Sequence, residues 1–83
     1  MAKKTFFVVQ PFEKAKGRRL KAGIPMEVRD AEEASRKAER MSLIKAGAVA
    51  FSTEVEMESG DAEPPVLIAT YGEVPDGGLE LAF

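Results

Sequence analysis

The sequence predicts a single small α+β domain in the order β-β-α-β-β, with a four-stranded, mainly antiparallel sheet and one helix packed on one face. Three observations carry this prediction. Apolar and polar residues alternate over 49–58, the period of a strand. A run of strong helix formers over 31–46 opens on a capping signal. Polar turns containing Gly or Pro separate short β-branched and aromatic runs elsewhere. With 83 residues, the chain has room for one domain, and such a chain buries only about 60% of the surface its unfolded form exposes. Twelve of the apolar residues are Ala, so the core is thin: one layer of helix on one sheet.

Residues 5–12 are β-branched and aromatic without a helical stripe and read as the first strand, with Pro11 demoting its far end to an edge or bulge. The polar segment 13–19, which contains Gly17, turns a hairpin. Leu20, Ile24, Met26 and Val28 then mark a returning strand, interrupted by Gly23 and Pro25. Asp30 is the expected N-cap, and Glu33 the residue that reaches back to the N-cap amide. Gly47 is expected to take the left-handed position that ends the helix. Ala31, Ala34, Ala38 and Met41 share the inward face, and this small-residue stripe lets the helix sit close to the sheet. Glu32–Arg36 and Glu33–Lys37 are the expected i,i+4 pairs.

Val49, Phe51, Thr53, Val55 and Met57 form one side of the third strand; Ala50, Ser52, Glu54, Glu56 and Glu58 form the other. A Gly- and Pro-containing turn over 59–64 leads to a fourth strand over 65–71, whose nearly unbroken apolar run suggests an interior position. The domain should span 1–76, with 77–83 as a tail. One helix covers one face only, so the other face is expected to be polar and solvated, or to be covered by a second copy or a partner.

The charges are sorted along the chain. Residues 1–47 hold all 12 basic residues and six acidic ones, a net of +6; residues 48–83 hold eight acidic residues and no basic one, a net of −8. Without His or Cys, the chain lacks imidazole and thiolate ligands, bases and nucleophiles. A non-enzymatic role is therefore expected, with no cofactor and no metal. The row Glu54, Glu56, Glu58 offers hard oxygen ligands but matches no calcium-loop spacing and reads as a solvated strand face. The apolar run after Lys3 and Lys4 is too short for a signal or membrane-spanning segment, so no membrane partner and a cytoplasmic location are expected.

Two surfaces stand out as binding candidates. Lys14, Lys16, Arg18, Arg19 and Lys21 form a basic hairpin tip able to lie along a nucleic-acid backbone, though no aromatic is interleaved for base stacking. Leu43 falls on the polar side of the helix and, with Leu79, Leu81 and Phe83 of the tail, forms a candidate protein interface. Ile44 sits on a flank and can reach the core. The lone Tyr71 reads as a core-edge side chain with its hydroxyl in water. The preferred function is a small protein-interaction or self-associating module, in which case a homodimer is one form. Nucleic-acid binding through the hairpin tip is the alternative. The Phe7-Val8-Val9-Gln10 stretch and the later Ala- and Glu-rich helix resemble the opening of the peptidoglycan-binding SPOR domain. That family places a helix directly after its first strand, where this chain places a hairpin, so no family assignment follows.

Overall fold

The computed structural model describes residues 2–17 and 19–74. Six elements follow one another: β1 (Lys3–Lys14), β2 (Leu20–Ala22), β3 (Met26–Val28), α1 (Ala31–Ser42), β4 (Gly47–Glu56) and β5 (Val66–Gly72). The α+β class and the β-β-α-β-β order hold, but the sheet has five strands rather than four, because the returning strand is broken in two. Both pieces lie antiparallel to β1, with Phe12 opposite Ala22 and Val9 opposite Met26. Between those pairs β1 has two residues, Gln10 and Pro11, while the returning chain has three, Gly23, Ile24 and Pro25. The extra residue is a bulge of the kind the Gly and Pro announced. The sheet order is β2 and β3 on one edge, then β1, β4 and β5.

Pro11 does not put β1 at an edge. β1 is central, paired to β4 along its whole length from Lys3–Glu56 to Phe12–Gly47. Pro11 stands opposite the β2–β3 break, where its carbonyl accepts the Gly23 N–H (2.9 Å) and the Gln10 side-chain amide (3.0 Å). Its missing N–H therefore leaves no gap in a ladder. The β5 strand, expected in the interior, is the opposite edge. Among the described residues it pairs with β4 alone, and its first two residues, Val66 and Leu67, are exposed. Its apolar run reflects the covering helix: Ile68 and Tyr71 pack on the cluster beneath α1.

The helix starts where the capping residue sets it, Asp30 Oδ1 accepting the Glu33 N–H at 2.8 Å. The Glu33 carboxylate reaches one residue further than expected, accepting the Arg29 N–H at 3.0 Å and pairing with the Arg29 guanidinium at 3.4 Å. Glu33 is thereby committed to Arg29 rather than Lys37, whereas Glu32–Arg36 forms as expected at 3.4 Å. The helix ends at Ser42, four residues short of expectation. Leu43 and Ile44 donate to carbonyls only three residues back, and the Ala46 N–H leaves the helix altogether for the Phe12 carbonyl of the sheet (2.9 Å).

Gly47 is needed for a different reason from the one the sequence suggests. It has no positive φ and is the first residue of β4; a side chain there would collide with the backbone of Glu73. Its ladder partner Gly72 has φ +73°, a conformation that L side chains rarely adopt. Together the two glycines let the chain leave β5 and cross closely over β4.

The two sheet faces differ. On the helix side Val9, Ala48 and Ala50 meet Ala34 and Ala38, all fully buried, with Phe7, Met26, Val28 and Met41 at the margin. On the other side Phe12, Val49 and Phe51 are also buried, with Val8, Leu20 and Val74 packed against them. Gln10 and Thr53 are buried on that face too, and among the described residues no buried side-chain polar atom lacks a hydrogen-bond partner. The helix-free face, expected to be polar and solvated or covered by a second copy or a partner, thus carries a second cluster of buried apolar residues.

Candidate functional site

Strand pairing fixes where the sorted charges go. The β1–β4 register sets Lys3 against Glu56 at one end and Phe12 against Gly47 at the other. The basic hairpin and the acidic β4–β5 turn thus project from opposite ends of a domain 45 Å long.

The acidic pole is partly neutralised from within. Lys3 Nζ lies 3.1 Å from Glu63 Oε1; this contact holds the Glu63 carboxyl below its ordinary range and raises the Lys3 ammonium. Lys4 Nζ stands 5.0 Å from the centre of the Phe6 ring. The turn is tied down by backbone bonds from Glu63 to Glu54 (2.8 Å) and from Glu56 to the Asp61 carbonyl (2.8 Å). Among the described residues no group of three acidic or other ligating side chains is placed to hold a metal ion.

The basic hairpin does not present one face. Antiparallel pairing puts Lys14 with Leu20 on the helix-free face and Lys21 with Glu13 on the helix face. Lys14 Nζ pairs with Glu73 at 3.6 Å. Glu13 pairs with Lys45, and that ammonium holds the Glu13 carboxyl low, with a smaller contribution from Lys21. Lys16 and Arg19 lie exposed at the tip, and Arg18 is outside the described residues.

Exposed large apolar side chains fall in two places: Met57, Val66 and Leu67 flank the acidic turn, and the three most exposed lie at the end of α1 and in the bulge. Leu43 is 81% exposed, as its place on the wheel suggested, and Ile44 is 74% exposed. Ile44 does not reach the core because the helix has already ended, so the wheel no longer sets its direction. Ile24, in the bulge, is 83% exposed. Phe12 brings these segments together: it pairs with Ala22 on one side, and on the other its carbonyl accepts the Ala46 N–H. Between them runs a groove of about 680 Å³, floored by Pro11, Ala22, Met26 and Met41, with Ile24 at its lip and Glu13, Lys21 and Lys45 on its rim. Sequence reasoning missed Ile24 because strand alternation does not place a bulge residue; its position between Gly23 and Pro25 was the available signal. Leu79, Leu81 and Phe83 lie outside the described residues.

Tyr71 is not a solvent-facing phenol. Its hydroxyl lies 2.8 Å from Ser35 Oγ, joining α1 to β5. No helix of the described residues is long and apolar enough to cross a membrane. Comparison with protein-family models, with curated proteins and with solved structures gave no match, so the chain is assigned to no family and its function is argued from its own residues.

Proposed function

We propose that this chain is a small non-enzymatic protein-interaction module that engages a second copy of itself or another protein through the groove between the end of α1 and the β2–β3 bulge. The observation that carries the reading is the exposure of Ile24, Leu43 and Ile44 at that one end of the domain. Large exposed apolar side chains are what an interface core buries; Ile24 lines the groove itself, and the charged rim of Glu13, Lys21 and Lys45 suits the polar border of such a contact.

Sedimentation equilibrium of the full chain at micromolar concentration, with and without Leu43→Asp and Ile44→Asp, tests self-association. A photo-crosslinking side chain at position 43, exposed to the native lysate, tests for a different protein. Association weakened tenfold or more by the aspartates, or a crosslink abolished by Ile24→Asp, supports the reading. A strict monomer that crosslinks to nothing at position 43 removes it.

Polyanion binding at the basic pole is the second reading, favoured by the separation of that pole from the acidic turn. It predicts affinity that falls steeply with salt and is lost when Lys16 and Arg19 become Gln. Absence of any DNA or RNA shift at low salt excludes it.

A further inference from the structure

The two edges of the sheet are built differently. At one edge the returning strand is split by a bulge containing Pro25 into β2 and β3, three residues each, which carry Lys21 and Glu27. Short strands, bulges, prolines and charges are the features that stop another chain from pairing with an edge. The opposite edge, β5, is seven residues long, and no charged residue stands between Glu63 and Glu73. Its register slips once, at Ile68, between the Phe51–Leu67 and Ala50–Ala69 pairs, and the run 69–72 beyond it is regular. Since β5 pairs with β4 alone among the described residues, alternate residues turn their backbone N–H and C=O groups outward.

The direction of β5 matters for the charges. Both β5 and β1 are antiparallel to β4, so they run parallel to each other. The start of β5 follows the acidic turn, and its last residue, Gly72, stands level with Gly47 and Phe12, at the end from which the basic hairpin projects. Exposed Glu54 and Asp61 mark the acidic pole, and exposed Lys16 and Arg19 the basic one. A second copy paired antiparallel along β5, about a two-fold axis normal to the sheet, therefore sets each acidic turn at the same end as the other copy's basic hairpin. A parallel arrangement sets like poles together. The unlike poles stand about 20 Å apart across the strands, beyond the screening length, so their attraction orients the two copies and the strand edge supplies the contact. The helices leave room for this pairing. α1 packs on β4, with β1 and β5 to either side, which puts two α1 axes about 14 Å apart, outside the roughly 8–10 Å of helices in contact. The flank of α1 turned to β5, marked by the Ser35–Tyr71 hydrogen bond, carries the small residues Ala31 and Ser42.

We infer that β5 is a pairing edge for a second copy of this chain, the two β5 strands lying antiparallel about a two-fold axis so that two sheets become one with both helices on the same side. The pairing shields Val66 and Leu67, which are 64% and 52% exposed in the single chain, and the opposed charges of the two halves of the chain set its direction. It is independent of the groove beside α1, which lies at the β2–β3 edge and stays open in such a dimer.

Sedimentation equilibrium of the full chain, from micromolar to near-millimolar concentration, should show a monomer–dimer equilibrium. Leu67→Lys combined with Thr70→Lys should weaken the dimer tenfold or more while the dilute protein keeps the far-ultraviolet spectrum of the parent, and Leu43→Asp should leave the dimer unchanged. A monomer at every concentration overturns the inference. So does a dimer broken by Leu43→Asp and not by the two lysines, because that dimer uses the groove. The direction of pairing has its own measurement, which needs no edge variant. The chain contains no Cys, so Ser59→Cys and Ala15→Cys chains can each be spin-labelled at one position. Pulsed electron spin resonance of their mixture should show a turn-to-hairpin distance between copies that is shorter than the distance found in either labelled chain alone. A turn-to-turn distance shorter than the turn-to-hairpin distance overturns the antiparallel pairing.

Discussion

The two faces of the sheet are closed by different means, and their residues show why. Under α1 the sheet presents Ala48 and Ala50, and the helix returns Ala34 and Ala38. Small side chains let a helix backbone approach closely, so each residue contributes little area and the fit depends on nothing larger entering. The opposite face presents Phe12, Val49 and Phe51. There the area per residue is large, and the described cover is the Glu73 backbone crossing over Gly47 and Val74 packed on the cluster. A thin domain thus obtains two cores, one limited by volume and the other by surface.

Truncation on the aromatic face should have the largest effect. Phe51→Ala removes a buried ring and should cost about 3–5 kcal/mol, measured by urea unfolding with an unchanged m-value. A loss below about 1 kcal/mol would mean that this face is not a core. The helix face should respond to the opposite change. Ala38→Leu forces a larger side chain between helix and sheet and should cost about 1–3 kcal/mol, whereas the same substitution at exposed Ala31 should be nearly neutral. If Ala38→Leu stabilises the protein, the close approach of α1 is not a packing limit.

Smaller effects distinguish how α1 is held. Asp30→Ala removes the side-chain acceptor of the Glu33 N–H and should cost about 1 kcal/mol. Tyr71→Phe removes the hydrogen bond to Ser35 and should also cost about 1 kcal/mol; in a double-mutant cycle with Ser35→Ala, the second substitution should add little. The smallest effect is that of acid. The carboxyls of Glu13, Glu33 and Glu63 are held below their ordinary value of 4.5 by Lys45, by the Arg29 N–H and by Lys3 respectively. Their stabilisation is therefore complete above about pH 4.5 and is lost as pH falls through their lowered values. A melting temperature followed below pH 5 should decline, and replacing all three with Gln should flatten that decline.

Much of the framework was legible in the sequence because it depends on local chemistry. Asp30 caps the helix, Val49, Phe51 and Thr53 alternate as a strand, and the Gly23–Pro25 break became a bulge. What was not legible depends on distant neighbours. The apolar run 66–69 looks the same whether its cover is a second strand or a helix, so the edge position of β5 was misread. Gly47 looked like a helix terminator because the crossing of Glu73 over it leaves no mark in the adjacent sequence. The end of α1 was placed too late because the competitor for the Ala46 amide is Phe12, 34 residues earlier. At the candidate sites, Leu43 was recognisable from the wheel, but Ile24 and Ile44 were not, since neither lies in a regular element. The basic run could be counted in the sequence, yet only the β1–β2 register shows Lys14 and Lys21 on opposite faces.

The most direct test of closure by two different covers is a nuclear Overhauser experiment on the isotopically labelled full chain, at a concentration where it is monomeric. The account predicts contacts from the Phe12 and Phe51 ring protons to the Val74 methyl groups, alongside those from Val9 and Ala50 to Ala34 and Ala38. Contacts on the helix face with none between those rings and Val74 would contradict it.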